Sequence, residues 1–261
     1  MAQRVMDLRQ SHADALRYEP TEKRIRGTLG GRTVVDSTRA AFVWEPLRIV
    51  PSYAVPEADI DAELNVGREV EPVPPGAEVL HPGHRFAVHT APGEALLVDG
   101  FAEGYRLQDA DLPGYVALDF AGFDAWYEED ERNYGHPRDP FHRIDIVHST
   151  RHVVVEVDGQ VLADTRSPAL LFETQLPTRF YLPPGDVDTE RMTRSDRHSW
   201  CAYKGKASYW SLPAAADIAW FYPEPLREAA EVTDRIAFWD ERVDVIVDGE
   251  RRGRPRTHWY D

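Results

Sequence analysis

Apolar and polar side chains alternate over short stretches along most of the chain, and the breaks between stretches carry turn residues. That is the pattern of antiparallel strands joined by tight hairpins. His152-Val153-Val154-Val155-Glu156-Val157 runs into Asp158-Gly159 and returns as Gln160-Val161-Leu162-Ala163. A two-residue turn of this kind needs positive φ at both central positions, which Asp-Gly tolerates. The device recurs where Arg24 to Leu29 reaches Gly30-Gly31, Leu96 to Val98 reaches Asp99-Gly100, and Val243 to Val247 reaches Asp248-Gly249. The 20 prolines, many grouped as in Pro72 to Pro75 or Pro223-Glu-Pro225, exclude long helices from most of the chain. Helix is expected in two places. Val5, Leu8 and Leu16 predict a short amphipathic N-terminal helix or arm within 3–17, and Phe123, Trp126 and Tyr127 predict a second over Gly122 to Arg132. The pattern predicts a mainly β, antiparallel protein.

The chain also repeats itself. Residues 31–56 lie on 159–184 at a constant offset of 128, with Gly31/Gly159, Asp36/Asp164, Ala41/Ala169, Glu45/Glu173, Tyr53/Tyr181 and Pro56/Pro184 identical. After a one-residue slip Asp59-Ile60-Asp61 meets Asp186-Val187-Asp188, and Val116-Ala117 and Asp124 match Ile236-Ala237 and Asp244 at an offset of 120. The expected organisation is an arm or helix over 1–20, a first repeat over 21–132, a linker over 133–151, a second repeat over 152–250 and a tail over 251–261. Arg251, Arg252, Arg254 and Arg256 make that tail basic, which suits either a solvated end or an intramolecular clasp.

An apolar share of 42%, with 7 Trp, 11 Tyr and 10 Phe, is enough for a sizeable core. Against 45 acidic residues there are 30 Lys and Arg, a net charge of −15, which repels nucleic acid and anionic membrane surfaces and leaves a small molecule as the expected partner. One cysteine excludes an internal disulfide and a multi-thiolate zinc site. No run of about 18 apolar residues and no leader-like start is visible, so the expected location is the cytoplasm.

Several ordered motifs of the second repeat carry a family resemblance. They are Leu171-Phe-Glu173-Thr-x-Leu-Pro-Thr-Arg179-Phe-Tyr181-Leu-Pro183 followed by Asp186-Val187, then Trp200-Cys201-Ala202-Tyr203-Lys204-Gly205-x-Ala207-Ser208-Tyr209-Trp210, then Ala219-Trp220-x-Tyr222-Pro223-x-Pro225. The run His136-Pro-Arg138-Asp139-Pro-x-His142-Arg143-Ile144-Asp145 belongs with them. Together they resemble tandem members of domain-of-unknown-function family 427, sometimes labelled nucleotidyltransferase-like. The resemblance implies a β-tent architecture, here two tandem β-tent-like antiparallel domains with a short N-terminal helix. Many β-tent relatives hold zinc through two Cys-x-x-Cys pairs, which this chain lacks, and Ala202 stands where the family usually carries proline. No family-wide reaction comes with it.

The candidate chemistry centres on His198 to Trp210, which holds the only thiol. Cys201 acts as a nucleophile only as the thiolate, which Lys204 or a protonated His198 would favour. Residues three apart on a strand face opposite sides, so contact between Cys201 and Lys204 requires a turn, for which Lys204-Gly205-Lys206 is available. The bland alternative is a buried structural cysteine. Lys204 could clamp a carboxylate or phosphate, or be a solvated surface lysine. Glu173 and Tyr181 recur in the first repeat as Glu45 and Tyr53, whereas Cys201, Lys204 and Gly205 have no counterpart there. Features shared by both repeats are therefore expected to be scaffold, and those private to the second are candidates for activity. Glu173 is a candidate general base or a buried structural carboxylate.

Trp200, Tyr203, Tyr209, Trp210, Trp220 and Tyr222 form an aromatic-dense stretch able to line a ligand site, with Trp220 and Tyr222 on one strand face and Phe221 on the other. Two metal readings are weaker. His81, His84 and His89 sit around a Pro-Gly loop, and His136, Asp139, His142 and Asp145 recur every three residues where domain docking is the simpler role. Asp186 and Asp188 have spacing for a shared Mg²⁺, but no Gly-Ser turn opens a helix before them and no Walker-type loop occurs. No cofactor is expected. Two functions follow: a small-molecule enzyme with one aromatic-walled pocket in the second repeat carrying Glu173, Tyr181, Cys201 and Lys204, or a non-catalytic module that cages a small ligand.

Overall fold

The computed structural model describes residue 2 and residues 13–257. The expected helix over 3–17 therefore lies, but for its last residues, outside the described residues, and 13–16 form a turn that leads into the first strand. Every strand pairing is antiparallel, and the helical elements among the described residues are short 3-10 turns. None of these helices is long and apolar enough to cross a membrane. The chain divides into two compact units, residues 1–139 and 140–261.

The first unit contains β1 (Arg17–Pro20), β2 (Ile25–Leu29), β3 (Arg32–Ser37), β4 (Ala41–Trp44), β5 (Ser52–Pro56), β6 (Leu64–Val66), β7 (Gly93–Val98), β8 (Ala102–Leu107), β9 (Tyr115–Leu118), β10 (Ala125–Glu128) and β11 (Glu131–Asn133). A seven-stranded sheet has the order β1-β4-β5-β9-β8-β7-β6, and a four-stranded sheet β11-β10-β2-β3 completes the unit. Their inner faces bury Ile25, Phe42, Tyr53, Val98, Val116 and Trp126 in one core.

The stretch expected to be a second helix is a 3-10 turn, Phe120–Gly122, followed by β10. Pairing decides the outcome. Trp126 stands opposite Gly27 on β2, and a Cβ at Gly27 would meet the indole at 2.8 Å, so the ring fills the space the glycine leaves. The indole N–H donates to the Phe120 carbonyl at 3.0 Å. Burial of this one large side chain in the sheet core outweighs a weak helical stripe in a segment flanked by glycine and aspartate.

The second unit contains β12 (Ile144–His148), β13 (Val153–Val157), β14 (Gln160–Thr165), β15 (Ala169–Glu173), β16 (Arg179–Tyr181), β17 (Thr193–Cys201), β18 (Gly205–Leu212), β19 (Ala215–Phe221), β20 (Ala237–Phe238), β21 (Asp244–Val247) and β22 (Glu250–Arg251). Its sheets have the orders β12-β15-β16, β14-β13-β21-β22 and β17-β18-β19-β20. A bridge between Leu182 and Ile236 joins the first to the third, giving the succession β12-β15-β16-β20-β19-β18-β17. Strand for strand this is the order of the larger sheet in the first unit. The Asp-Gly and Gly-Gly hairpins form as expected, with positive φ at Gly30, Gly31, Asp99, Gly100, Asp158, Gly159, Asp248 and Gly249.

Register alters one expected correspondence. On β4 and β5, Ala41 faces Ala54 and Phe42 faces Tyr53. On β15 and β16, Ala169 faces Tyr181 and Leu170 faces Phe180. Tyr53 thus corresponds to Phe180, and Tyr181 to Ala54. Tyr53 points into the core between the sheets, whereas Tyr181 joins Ala169 and Leu171 on the other face. The connection after β15 is one residue shorter than that after β4, so the slip falls before the tyrosines, and Tyr181 is private to the second unit.

The stretch expected to be linker is partly strand, because β12 pairs along its length with β15 from Ile144 opposite Glu173 to His148 opposite Ala169. The basic tail is a clasp at its start: Arg251 pairs Glu156 at 2.8 Å and Asp244 at 2.6 Å, and Arg254 pairs Asp244 at 3.1 Å.

Candidate functional site

The β16–β20–β19–β18 surface of the second unit has two differently used faces. Phe180, Leu182, Ile218 and Phe221 point into the core with Val153, Val155 and Val245. Tyr181, Tyr209, Trp220 and Tyr222 point the other way with Ala169, Leu171 and Ala207. Strand alternation places them there, and the 3-10 turn Arg227–Val232 adds Ala229 and Val232 to this second face.

The β17–β18 hairpin brings Cys201 to this face. Its turn is Ala202 to Lys204, with Cys201 opposite Gly205, two residues earlier than the Lys204-Gly205-Lys206 turn expected. Gly205 has φ +98°, and a Cβ there would lie 3.2 Å from the Leu226 nitrogen and 3.3 Å from the Glu224 oxygen, so glycine is required by both conformation and space. The adjacent Leu226 N–H donates to the Lys204 carbonyl at 3.1 Å and fixes where the lysine starts.

From there the Lys204 ammonium is buried and donates to Glu173 Oε2 at 2.5 Å. Glu173 Oε1 lies 3.1 Å from His142 Nε2, and the His142 ring stacks on Tyr203 at 4.3 Å. His142 is held because the β12–β15 ladder runs on past the strand end: Thr174 N–H donates to the Arg143 carbonyl and Arg143 N–H to Thr174 Oγ1, each at 2.9 Å. Burial opposes ionisation of Glu173, but Lys204 and His142 outweigh it and bring its pKa down to about 2. Burial likewise opposes the Lys204 ammonium, yet Cys201 and the Glu173 carboxylate together hold it above its ordinary value. Cys201 is half-buried and near enough that its charge bears on Lys204, Tyr181 and Tyr222. Burial pushes both tyrosine hydroxyls up, and Tyr181 accepts from the Trp220 indole N–H at 3.1 Å.

Cys201, Lys204, Glu173 and Tyr181 thus share one face with Tyr209, Trp220 and Tyr222, and Tyr203 flanks it. Trp210 does not belong to the group. It packs on the core side against Phe221, with Arg194 4.3 Å above its ring. Trp200 is 47% exposed on β17. His198 is not the imidazole of the site, since its Nδ1 lies 3.2 Å from Ser208 Oγ. That place belongs to His142, from a run read as linker; the Ile144-x-Ile146 alternation beside it was the available sign of a strand.

Arg179 and Trp239 are further neighbours of the site that the sequence pattern does not signal. The Arg179 guanidinium lies 5.6 Å from the Trp220 ring centre and 5.5 Å from that of Trp239. It donates to both oxygens of Glu241 at 2.9 and 2.6 Å, and Asp240 lies 3.6 Å away. Burial raises Asp240 from 3.8 to about 6 despite Arg179. Between those values the folded chain binds more protons than the unfolded one, so stability falls as pH rises through the window. Ionised Asp240 then costs up to about 3 kcal/mol at neutral pH. Asp240→Asn is therefore expected to raise the melting temperature at pH 7.5 more than at pH 5; equal shifts at both would refute the assignment.

The remaining candidates have local roles. His89 is buried, lies 2.8 Å from Glu45 Oε1 and stacks on Tyr105 at 3.6 Å, apart from the His81–His84 ring pair. Glu45, the counterpart of Glu173, also accepts the Thr90 N–H at 2.8 Å. Burial opposes its ionisation, but His89 and Thr90 hold it below the usual carboxylate range. Asp186 accepts from Thr165 Oγ1 at 2.5 Å. No cluster of three or more acidic, His or Cys side chains able to hold a metal occurs among the described residues.

Residues 145–249 match a family model labelled NTP_transf_9 and described as domain of unknown function DUF427. No curated protein matches the chain.

Proposed function

We propose that the second unit, whose residues 145–249 belong to the DUF427 family, processes a small molecule by thiol chemistry at Cys201. The observation that carries this reading is a half-buried thiol near enough to the buried Lys204 ammonium for the two charges to interact, with that ammonium held by Glu173, which also meets His142. A thiolate there is the nucleophile: its sulfur bonds to an electrophilic carbon of the substrate as the bond from that carbon to a leaving group breaks, the leaving group takes that electron pair into solution, and the thiol proton passes to solvent. Lys204 is the cation beside it, Glu173 and His142 are positioning residues, and Tyr181, Tyr209 and Tyr222 furnish a wall with hydroxyl tips. The acidic, single-thiol chain suits a small molecule in the cytoplasm better than nucleic acid or a membrane surface. The shared strand order of the two units supports descent from one duplicated domain, with the first unit lacking the thiol and the lysine.

A cage for a cationic ligand is the weaker reading, because the protein's own arginines already take the ring faces. Arg179 lies against Trp220 and Trp239, Arg194 against Trp210, and Arg197 5.2 Å from the Tyr209 ring centre.

Alkylation by iodoacetamide tests the thiol reading without a known substrate, since the single cysteine makes the labelled site unambiguous. The sulfur–carbon bond forms as iodide leaves. The folded protein at pH 7 is expected to react at least about tenfold faster than a cysteine model peptide, with that advantage lost in Lys204→Gln and kept in Lys204→Arg. A rate equal to that of the peptide, unmoved by either change, would overturn the reading.

A further inference from the structure

A hollow of about 380 Å³ opens on the core side of the second unit, where β15 and β16 meet the β21–β22 hairpin. Its floor is apolar. Leu170, Phe180 and Val247 line it from the core, and Phe172 lines it beside them 44% exposed.

The rim carries charge. Arg151, Arg251 and Arg252 line it, with Glu250 among them. Two of the three cations are satisfied. Arg151 pairs with Asp248 at 2.7 Å, and Arg251 with Glu156 and Asp244. Arg252 is different: among the described residues no carboxylate forms an ion pair with it, although Asp240 feels its charge from a distance. Its backbone N–H is tied to the Val245 carbonyl at 2.8 Å, and its guanidinium lies 5.2 Å from the Phe180 ring centre. The fork therefore lies against the apolar lining of the hollow, and among the described residues no carboxylate pairs with it. Glu250 keeps the rim from being strongly cationic, which favours a single negative charge over a polyphosphate.

We infer that this hollow binds a small aromatic monoanion, its planar body against Phe172 and Phe180 and its carboxylate or sulfonate on Arg252. A volume of this size is that of small-molecule sites in general, and guanidinium recognises a planar anionic group through paired N–H donors. The site lies on the opposite face of the sheet from Cys201, so it is independent of the thiol reading.

The test is calorimetric titration of the full chain with 2-naphthoate. Comparison ligands are 2-naphthylmethylamine, which has the same rings and the opposite charge, and acetate, which has the head group alone. Naphthoate is expected to bind saturably at one site, with both comparison ligands silent to about 1 mM. Arg252→Glu reverses the exposed rim charge, and Thr178→Trp fills the hollow from its lining. Each is expected to weaken naphthoate at least about tenfold while Cys201→Ser leaves it unchanged. Absence of saturable naphthoate binding, equal binding of the amine, or an affinity that neither Arg252→Glu nor Thr178→Trp moves would overturn the assignment.

Discussion

Replacing Lys204 by methionine is expected to cost about 3–5 kcal/mol of folding free energy at neutral pH, read by urea denaturation. The methionine fills much of the same space, so packing is not the main loss. What is lost is the cation 2.5 Å from Glu173 in a site where both groups are buried. An ionised carboxylate left there has only His142 to answer it, and taking up a proton in its place is uphill at neutral pH. The double change Lys204→Met, Glu173→Leu removes both charges and is expected to recover most of the loss, because an apolar pair of similar volume does about as well as a buried ion pair. The pH dependence gives a second signature. Glu173 has a folded pKa of about 2 against 4.5 ordinarily, so in the native protein it contributes stability that is present above 4.5 and lost as pH falls towards 2. Lys204→Met is expected to abolish that acid limb. A loss below about 1 kcal/mol, with no recovery in the double variant, would mean that the pair is not the buried bridge described.

Arg179→Leu is expected to cost a similar amount, about 3–5 kcal/mol at pH 7.5, for a related reason. The guanidinium spans Glu241 and Asp240 and lies against two tryptophans. Without it, two neighbouring carboxylates repel each other with little water to screen them. Asp240 already titrates at about 6, so by pH 5 it is protonated and the repulsion is relieved. The cost is therefore expected to shrink clearly between pH 7.5 and pH 5 in denaturant titrations. An undiminished cost at pH 5 would point to lost stacking on Trp220 and Trp239 in place of lost charge balance. Phe180, on the opposite face of β16, gives a size comparison: its truncation to alanine should cost about as much at either pH, since the ring carries no titrating group.

The legible part of this protein was the part that neighbouring residues settle among themselves. Asp158-Gly159 and Asp248-Gly249 turn because those residues tolerate positive φ, whatever lies elsewhere. Trp220, Phe221 and Tyr222 divide between two faces because a strand alternates. The need for a turn between Cys201 and Lys204 was visible from their spacing of three, and the structure provides it at Ala202 to Lys204. Trp126 was not legible in this way, because a ring three residues from another fits a helical stripe, and only the cleft over Gly27 makes a strand the better burial.

The partners of the charged groups were not legible. His142 reaches Glu173 across 31 positions, and Arg179 reaches Glu241 across 62. Which carboxylate meets which cation depends on how β12 registers against β15 and on where the chain returns after β20, and single-residue slips decide both. The repeat illustrates the same limit. Identity of letters at an offset of 128 joined Tyr53 to Tyr181, while hydrogen-bond register joined Tyr53 to Phe180 and turned Tyr181 to the opposite face.

The sequence by itself determined the β class, the hairpins and their turns, and the presence of one thiol near one lysine, because backbone preference and side-chain alternation are local. Only the tertiary structure decided that Lys204 is buried against Glu173, that His142 joins them, that arginines occupy the tryptophan faces, and that Arg252 stands over an apolar hollow. Those outcomes arise from desolvation and charge pairing between distant strands, and both depend on distances that no stretch of chain encodes alone.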